Sequence, residues 1–264
     1  MPFLFAAGLC FANALLLYFT LPETVTPDHP ARVSAAGGRG LGQLIQSLRN
    51  PRLGYVLIIY FLFIVAFSIM TTSFSLFTMF RFGYDAQHTG YLFAYVGILA
   101  VIVQGGLIGR LVKRFGELPL VILGAFLFAG SLFAVPFVGP EAGGLAALLV
   151  GGGLFSVGNS LSAPSLTSLA SKSVGAGEQG SVLGVTQSVA SLARAVGPAL
   201  AAVLIHSAIA GKDPHGNSHF MSDHSLFVTF WTASAIMIVA LLLASYFART
   251  RAADYSDAEI AEAA

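Results

Sequence analysis

The sequence predicts an all-α membrane protein with seven transmembrane helices. Of the 264 residues, 56% are hydrophobic and only 9% are charged, whereas soluble domains carry roughly a quarter charged residues. Seven apolar stretches reach the length of about 20 residues that a helix needs to cross the hydrocarbon core of a bilayer. The alternation of polar and apolar residues that is typical of strands in a membrane barrel is absent from them.

Each apolar stretch ends at charges, prolines or glycine clusters, which mark the expected helix ends. Backbone groups in hydrocarbon must form their hydrogen bonds within the segment, and this requirement favours helices. The predicted spans are approximately 2–21, 53–80, 90–109, 118–138, 144–168, 181–206 and 225–248. The first stretch lacks a basic n-region and is longer than the apolar part of a signal peptide, so we interpret it as a span.

The distribution of lysine and arginine predicts the orientation of the spans. Only Arg81 and Lys212 fall in loops on one side of the membrane. Ten basic residues fall on the other side: Arg32, Arg39, Arg49, Arg52, Arg110, Lys113, Arg114, Lys172, Arg249 and Arg251. Because basic loops stay in the cytoplasm, the N-terminus is expected outside the cell membrane and the C-terminus inside. Residues 249–264 are then a cytoplasmic tail.

The composition and motifs argue against several other classes of protein. A net charge of +1 does not favour binding to nucleic acid. A single cysteine, Cys10, permits no intrachain disulfide, and the six histidines have no cysteine partners for a metal site. The sequence contains neither a phosphate-binding loop nor a serine-hydrolase or zinc-protease motif. We therefore expect no enzyme, no metal and no cofactor.

The second span carries hydroxyl groups along one face and aromatic rings along a neighbouring face. The hydroxyl residues recur at three- and four-residue steps and are Ser68, Thr71, Thr72, Ser75 and Thr78. The aromatic residues are Phe67, Phe74 and Phe77. One interpretation is the wall of a cavity for an amphipathic substrate. The other is that the hydroxyls bond to their own helix and assist helix packing.

Arg194 is the charged residue that lies well inside a predicted span. A charge at this depth costs roughly 2.5–3.5 kcal/mol or more unless it meets a partner or water, so it is a candidate functional residue. Its counter-ion would be a substrate, a helix C-terminus or a carboxylate outside this chain. The alternatives are a structural ion pair between domains and a side chain that reaches towards the cytoplasmic surface.

Glycine and proline predict helices that bend or pack closely. Kinks are expected at Pro164 and at the Gly197-Pro198 pair, because proline removes a helical hydrogen bond. Gly105 and Gly109 form a GxxxG pair, which permits close helix approach. The spans 118–138 and 225–248 are almost uniformly apolar and are expected to face lipid.

Three short motifs resemble those of the major facilitator superfamily, and in particular its tetracycline-resistance-like drug–proton antiporters. Leu21-Pro22-Glu23-Thr24 is similar to the segment that follows the sixth helix of many members. The loop Gly109–Gly116 resembles the second copy of the family's cytoplasmic motif, and Gln179-Gly180 with Ser188–Pro198 resembles its eleventh helix. Within the loop motif, the residues that match a gating role are Gly109, Arg110, Lys113, Arg114 and Gly116. Lys113 departs from the acidic residue that is common there, which puts any salt bridge of that acid in doubt.

The resemblance implies that the chain runs from helix six to helix twelve of a twelve-helix transporter. Residues 1–21 would then belong to an N-terminal half that this sequence does not contain. Residues 22–52 would link the two halves, and residues 53–248 would form the C-terminal six-helix bundle. The fragment alone is expected to be inactive.

The resemblance also implies a function, namely alternating-access transport of a small organic molecule, with proton-coupled efflux. The partners would be the lipid bilayer, the substrate, protons and the missing half. Candidate residues of the central cavity or of the interface are Thr71, Ser75, Gln104, Asn159, Gln187 and Arg194.

Two other classes of membrane protein remain as alternatives. A seven-helix receptor or photoreceptor would share the predicted topology, although the span 225–248 has no lysine for a retinal Schiff base. A membrane-embedded enzyme or assembly factor is the other alternative, although no catalytic pair of residues lies at a shared depth.

Overall fold

A computed structural model of the chain describes residues 2–20, 51–175, 178–207 and 222–263. The described residues form seven helices and no strand, which confirms the predicted all-α fold. The helices are α1 (Pro2–Thr20), α2 (Pro51–Phe82), α3 (Ala86–Phe115), α4 (Glu117–Ala134), α5 (Gly144–Lys172), α6 (Gln179–Ser207) and α7 (Asp223–Ala263). A single 3₁₀ turn, Val135–Phe137, extends α4.

Six of these helices, α2 to α7, are long and apolar enough to cross a membrane, and α1 is a shorter apolar helix. The chain divides into two compact units, Met1–Gly37 and Gly38–Ala264, so α1 belongs to the first unit and the other helices to the second. The helix α7 continues through the residues that the sequence assigns to a tail. The motif Leu21-Pro22-Glu23-Thr24 lies outside the described residues. So does the predicted linker 22–52, except for its last two positions, which begin α2.

The six helices of the second unit pack side by side. The helix α2 packs along α6 and α7, α4 packs along α5 and α7, and α3 packs along α5. We call the end of this bundle at which α3 meets α4 the Gly116 end, and the end at which α4 meets α5 the Gly139 end.

A cluster of phenylalanine rings fills the centre of the bundle. The ring of Phe128 in α4 packs edge-on against Phe63 of α2 and Phe155 of α5, with centroid distances of 5.4 and 4.7 Å. Phe155 also stacks on Phe67 of α2 at 5.8 Å. Because lipid tails are as apolar as these side chains, such packing rather than exclusion of water holds membrane helices together.

The expectation that α4 and α7 only face lipid is wrong. Phe128 and Leu132 of α4 are completely buried, as are Phe230 and Met237 of α7. The helix whose apolar stretch is least buried is α3 instead. Uniform apolarity does not distinguish a buried helix from a lipid-facing one, because both environments are apolar.

Glycines permit two close helix crossings. Where α4 crosses α5, a Cβ atom placed on Gly158 would lie 2.6 Å from the carbonyl oxygen of Gly124 and 2.9 Å from the backbone nitrogen of Phe128. Where α6 crosses α2, a Cβ atom on Gly197 would overlap that of Ser68. The GxxxG pair Gly105 and Gly109 has open space around it in this chain.

Polar contacts fasten the helices at both ends of the bundle. At the Gly139 end, the Arg81 guanidinium of α2 lies 2.9 Å from Asp223 of α7 and donates to the carbonyl of Pro136 at 2.9 Å. At the Gly116 end, Glu117 of α4 pairs with Lys172 of α5 and accepts a hydrogen bond from Ser168 at 3.0 Å. Each contact joins the end of one helix to a neighbour that is distant in sequence.

Asp85 caps the N-terminus of α3, which predicts a small pH-dependent contribution to stability. Its carboxylate accepts from the backbone N–H of His88 at 2.9 Å and contacts the imidazole of the same residue at 2.7 Å. The backbone hydrogen bond, then the side-chain contact, lower the pKa of Asp85. Because the folded pKa is depressed, this stabilisation is present above the ordinary pKa of an aspartate and is lost as the pH falls through the folded value.

We expect Asp85→Ala to lower the thermal unfolding temperature slightly at pH 7, and by less at pH 3. Asp85→Asn is the matched control, because it keeps a capping oxygen and removes the charge. Thermal unfolding of the three proteins in detergent at both pH values measures the effect. An equal effect of Asp85→Ala at both values would contradict the role of the ionised cap.

Candidate cavity and partner-facing surface

A π-helical segment interrupts α3 at its middle. Residues Val103–Leu107 form one π turn between the α-helical segments Ala86–Ile102 and Ile108–Phe115. Gln104 lies in this turn, where its amide donates to the hydroxyl of Ser160 in α5 at 3.3 Å. Single π turns are frequent at functional sites. The apolar pattern of the sequence does not predict this irregularity, and the adjacent Gly105 and Gly106 are the only local signal of it.

One face of α6 is polar and exposed. It carries Gln187, Ser188, Ser191 and Arg194, all of which are exposed. The two serine hydroxyls donate to carbonyls one turn earlier, at 3.0 Å for Ser188 and 2.9 Å for Ser191, so their bonding capacity is partly used within the helix. The small residues of the opposite face pack against α2.

Arg194 lies on this exposed face of α6. No acidic side chain forms an ion pair with it among the residues that the structure describes. The lipid core cannot solvate a guanidinium, so a surface that carries one at the middle of a span needs water or another protein segment against it.

Two of the five hydroxyl groups on this face of α2, those of Thr71 and Thr78, bond to their own helix or to a neighbour. Thr71 donates to the carbonyl of Ser68 at 3.1 Å. Thr78 donates to the carbonyl of Ser75 at 3.0 Å, and its oxygen lies 2.9 Å from that of Thr89 in α3, where both are buried. These bonds match the packing interpretation of this face. Ser75 itself is exposed and Thr71 is half-buried.

The six cavity candidates lie at different depths. Arg194 and Asn159 are each about one residue from the middle of their helices, and Thr71 and Gln104 are within about five. Ser75 lies about eight residues from the middle of α2 towards the Gly139 end, and Gln187 about six from the middle of α6 towards the Gly116 end.

At about 1.5 Å per residue, Ser75 and Gln187 are separated by roughly 20 Å of depth. A single small molecule does not bridge that distance. Asn159 and Arg194 therefore share a level near the middle of the bundle, whereas Thr71 and Gln104 lie on opposite sides of it, roughly 12 Å apart in depth. The assignment of these four residues to a substrate site remains a prediction.

The predicted gating motif lies in a helix rather than in a loop. Residues Ile108–Phe115 continue α3, and Gly116 alone separates α3 from α4. Gly116 has a φ of 77°, which favours glycine, and its N–H donates to the carbonyl of Val112 at 2.9 Å. The motif residues Gly109, Arg110, Lys113 and Arg114 are exposed on this last segment. The GxxxxxxG spacing therefore fits a helical turn followed by a C-cap.

The helices α5 and α6 run through their prolines without a break. Pro164 lies inside α5, and Pro198 lies inside α6. The role of Gly197 in this chain is the close approach to α2 described above, and bending at these three positions stays a prediction. The irregular backbone is found in α3 instead.

The fold agrees with the comparisons to known proteins. The profile of the Major Facilitator Superfamily matches residues 1–198. The chain belongs to this superfamily. The resemblance noted from the short motifs is thereby confirmed, and the family and fold are those of multi-pass membrane transporters rather than of enzymes.

Curated relatives include transporters from bacteria and mammals. The chain is 30% identical over 209 residues to Solute carrier family 22 member 18 of Rattus norvegicus, covering 76% of this chain and 49% of that protein. It is 28% identical over 207 residues to Multidrug resistance protein 2 of Bacillus subtilis, covering 77% and 50%. It is also 28% identical over 211 residues to the class D tetracycline resistance protein of Salmonella ordonez, covering 77% and 50%.

The chain spans about half the length of these curated relatives. Among solved structures, it is similar to the human organic anion transporter MFSD10 (TETRAN), with a TM-score of 0.60 and 24% identity. That similarity covers 73% of this chain and 40% of the other. At this identity it establishes the fold.

Proposed function

We propose that the chain acts as part of a transporter that moves a small organic molecule by alternating access. In this proposal α2 to α7 are the C-terminal six-helix bundle, and α1 belongs to a separate N-terminal half. The observation that carries the proposal is the exposed polar face of α6, with Gln187, Ser191 and Arg194. Such a face in a membrane requires a second bundle or a water-filled cavity against it.

The π turn of α3 supports the same interpretation. Gln104 and its glycine neighbours are exposed, and they lie on α3, the helix whose apolar stretch is least buried. Transporters bind substrates near the middle of the membrane, where irregular backbone lines a cavity. Arg194, Asn159, Gln104 and Thr71 lie near that level, so we propose them as the substrate-facing residues. An arginine among them favours organic molecules with an anionic or strongly hydrogen-bonding group.

We also propose that proton coupling needs a group outside this chain. The acidic residues of the described bundle lie at helix ends or in the part of α7 beyond its membrane span: Asp85, Glu117, Glu141, Glu178, Asp223, Asp254, Asp257, Glu259 and Glu262. None lies at the depth of Arg194 in those described helices. A proton-binding carboxylate at that depth would come from the N-terminal half, and the chain alone is then inactive. The positive-inside bias supports a cytoplasmic Gly116 end in the cell membrane.

Substitution of Arg194 in the full-length transporter tests this proposal. We expect Arg194→Ala to reduce efflux at least tenfold, because the cavity loses its fixed positive charge. Arg194→Lys should keep part of the activity. The measurement is energised efflux of tetracycline and of a fluorescent organic anion from cells, with membrane insertion checked by immunoblot.

The matched control is Arg249→Ala, since Arg249 is an exposed arginine near the Gly116 end of α7. It should leave efflux unchanged. If Arg194→Ala and the wild type export both probes equally, Arg194 has no role in the transport mechanism. Proton-coupled uptake by the purified 264-residue chain in proteoliposomes would contradict the requirement for a second half.

A further inference from the structure

An apolar cavity lies away from the polar face of α6. It has a volume of about 420 Å³ and opens between α2, α3, α4 and α5 in the half of the bundle nearer to the Gly139 end. Its walls include Met70, Phe74, Phe93, Leu132 and Leu148. None of the six candidates for the transport cavity lines it.

The walls of this cavity offer no free polar side chain. Its single polar side chain is that of Ser131, whose hydroxyl already donates to the carbonyl of Gly151 at 2.8 Å. A site for a drug-like molecule combines apolar walls with a few convergent polar groups that fix orientation. With no such group available, the cavity can select only for hydrocarbon.

An empty apolar cavity of this size is unfavourable. Atoms that line a void lose the dispersion contacts that a packed interior would give them. Water does not fill such a cavity, because it finds no hydrogen-bond partners there, and apolar cavities instead bind apolar molecules. The physical expectation is therefore that a hydrocarbon group occupies the space.

The cavity is accessible from the lipid-facing side. Contacts between α3 and α4 are concentrated at the last segment of α3, so the two helices separate towards the Gly139 end. Val150 and Leu154 line the cavity and are 64% and 41% exposed.

The inner end of the cavity is closed by aromatic rings. Phe155 lines the cavity and packs on Phe67 and on the fully buried Phe128. This floor lies near the middle of α5, so a chain that enters from the Gly139 half stops before it reaches the level of Asn159 and Arg194. The cavity therefore fits the end of a hydrocarbon chain, and that chain cannot pass through it into the proposed transport pathway.

We propose that an acyl chain of a membrane lipid occupies this cavity and wedges between α3 and α4. Lipid chains are the hydrocarbon that a bilayer supplies at this surface in great excess over any other apolar molecule. The chain replaces the missing side-chain contacts between the separated helix halves. Its headgroup stays at the membrane surface near the Gly139 end, where Glu141 and the cap of α5 lie.

Gly151 offers a substitution that fills the cavity. It lines the space, and a Cβ atom placed on it would meet nothing within 4 Å. Gly151→Leu therefore places a side chain where we propose the lipid chain, without a clash against backbone. Gly130→Leu is the matched control, since Gly130 is exposed on α4, has open space around it and does not line the cavity.

The experiment uses the full chain in nanodiscs that contain phosphatidylcholine with a diazirine in one acyl chain. After irradiation, peptide mass spectrometry locates the cross-links. We expect labelling of Met70, Phe93 and Leu148 in the wild type, and an at least fivefold decrease at these sites in Gly151→Leu. Gly130→Leu should keep the wild-type pattern, and labelling of the exposed Phe126 serves as the internal reference.

Wild-type labelling confined to exposed residues such as Phe126 would overturn the proposal. So would undiminished labelling of the cavity walls in a folded Gly151→Leu protein. Ala147→Leu, which fills the same space from the next turn of α5, replaces Gly151→Leu if that variant does not fold. Because these readouts do not depend on transport, their failure leaves the proposed function untouched.

Discussion

Replacing Gly124 by leucine is expected to destabilise the six-helix bundle severely. A Cβ atom on Gly124 would overlap the hydroxyl oxygen of Ser162 and lie 2.6 Å from the carbonyl oxygen of Gly158. That carbonyl oxygen and the backbone nitrogen of Ser162, which would lie 3.1 Å away, both belong to the backbone of α5, which cannot rotate away as a side chain can. The helices α4 and α5 would have to separate along their whole contact, which is the most extensive in the bundle.

Overpacking in a core usually costs about 1–3 kcal/mol, and more where backbone must move. Separation of α4 from α5 would also disturb the ring packing of Phe128 on Phe155 and the bond from Ser131 to Gly151. We therefore expect a loss at the upper end of that range or beyond it. In a membrane protein this should appear as aggregation on size-exclusion chromatography and as a lower midpoint of unfolding in SDS.

Gly130→Leu controls for the effect of a leucine on the same helix. The two glycines are six residues apart in α4, but Gly130 is exposed and has open space around it. This variant should elute and unfold like the wild type. A Gly124→Leu protein with an unchanged unfolding midpoint would show that α4 and α5 do not cross as closely as Gly124 and Gly158 indicate.

The number and length of the bundle helices could be predicted from the sequence, because both follow from the thickness of the bilayer. Length and apolarity alone predict the six long helices that the structure contains. Burial could not be predicted in the same way. A lipid-facing leucine and a buried leucine occupy equally apolar surroundings, so the core role of Phe128 and Phe230 carries no signature in composition.

Close packing shows the same limit. Spacing singled out Gly105 and Gly109, which face open space in this chain, and missed Gly124, whose partner is in another helix. A GxxxG pair is a property of one helix, whereas a crossing depends on two helices and on their angle. The π turn of α3 escaped prediction for a related reason, since a single extra residue in a turn leaves the apolar pattern almost unchanged.

For the candidate site, the sequence identified polar residues but not their depth. Helix midpoints from the structure place Arg194 and Asn159 near a common level and move Ser75 and Gln187 away from it. The periodicity of hydroxyls in α2 could not show which of them already form a hydrogen bond within the bundle. Thr78 is buried against Thr89 of α3, a contact between helices that no pattern within one helix contains.

Gly184 and Gly197 of α6 are expected to respond in opposite ways to the same substitution. Their difference tests whether a second bundle covers this helix. A Cβ atom on Gly197 would overlap that of Ser68 and lie 3.1 Å from the carbonyl oxygen of Val65. Gly197→Leu should therefore displace α6 from α2 and lower the SDS unfolding midpoint of the 264-residue chain markedly. Gly184 lies on the exposed face and has nothing within 4 Å of such an atom. Gly184→Leu should leave the chain as stable as the wild type.

In the complete transporter, the expectation for Gly184 reverses. If an N-terminal bundle packs against the face of Gly184 and Ser191, a leucine there occupies the space of the facing helix, since small residues are what permits such an approach. Efflux of tetracycline should then fall severalfold, although the chain alone folds normally. Full efflux by the Gly184→Leu transporter would mean that this face borders open water or lipid, and the proposed interface would have to lie elsewhere on α3 and α6. A Gly184→Leu chain that unfolds by itself would instead place the tight contact within the bundle.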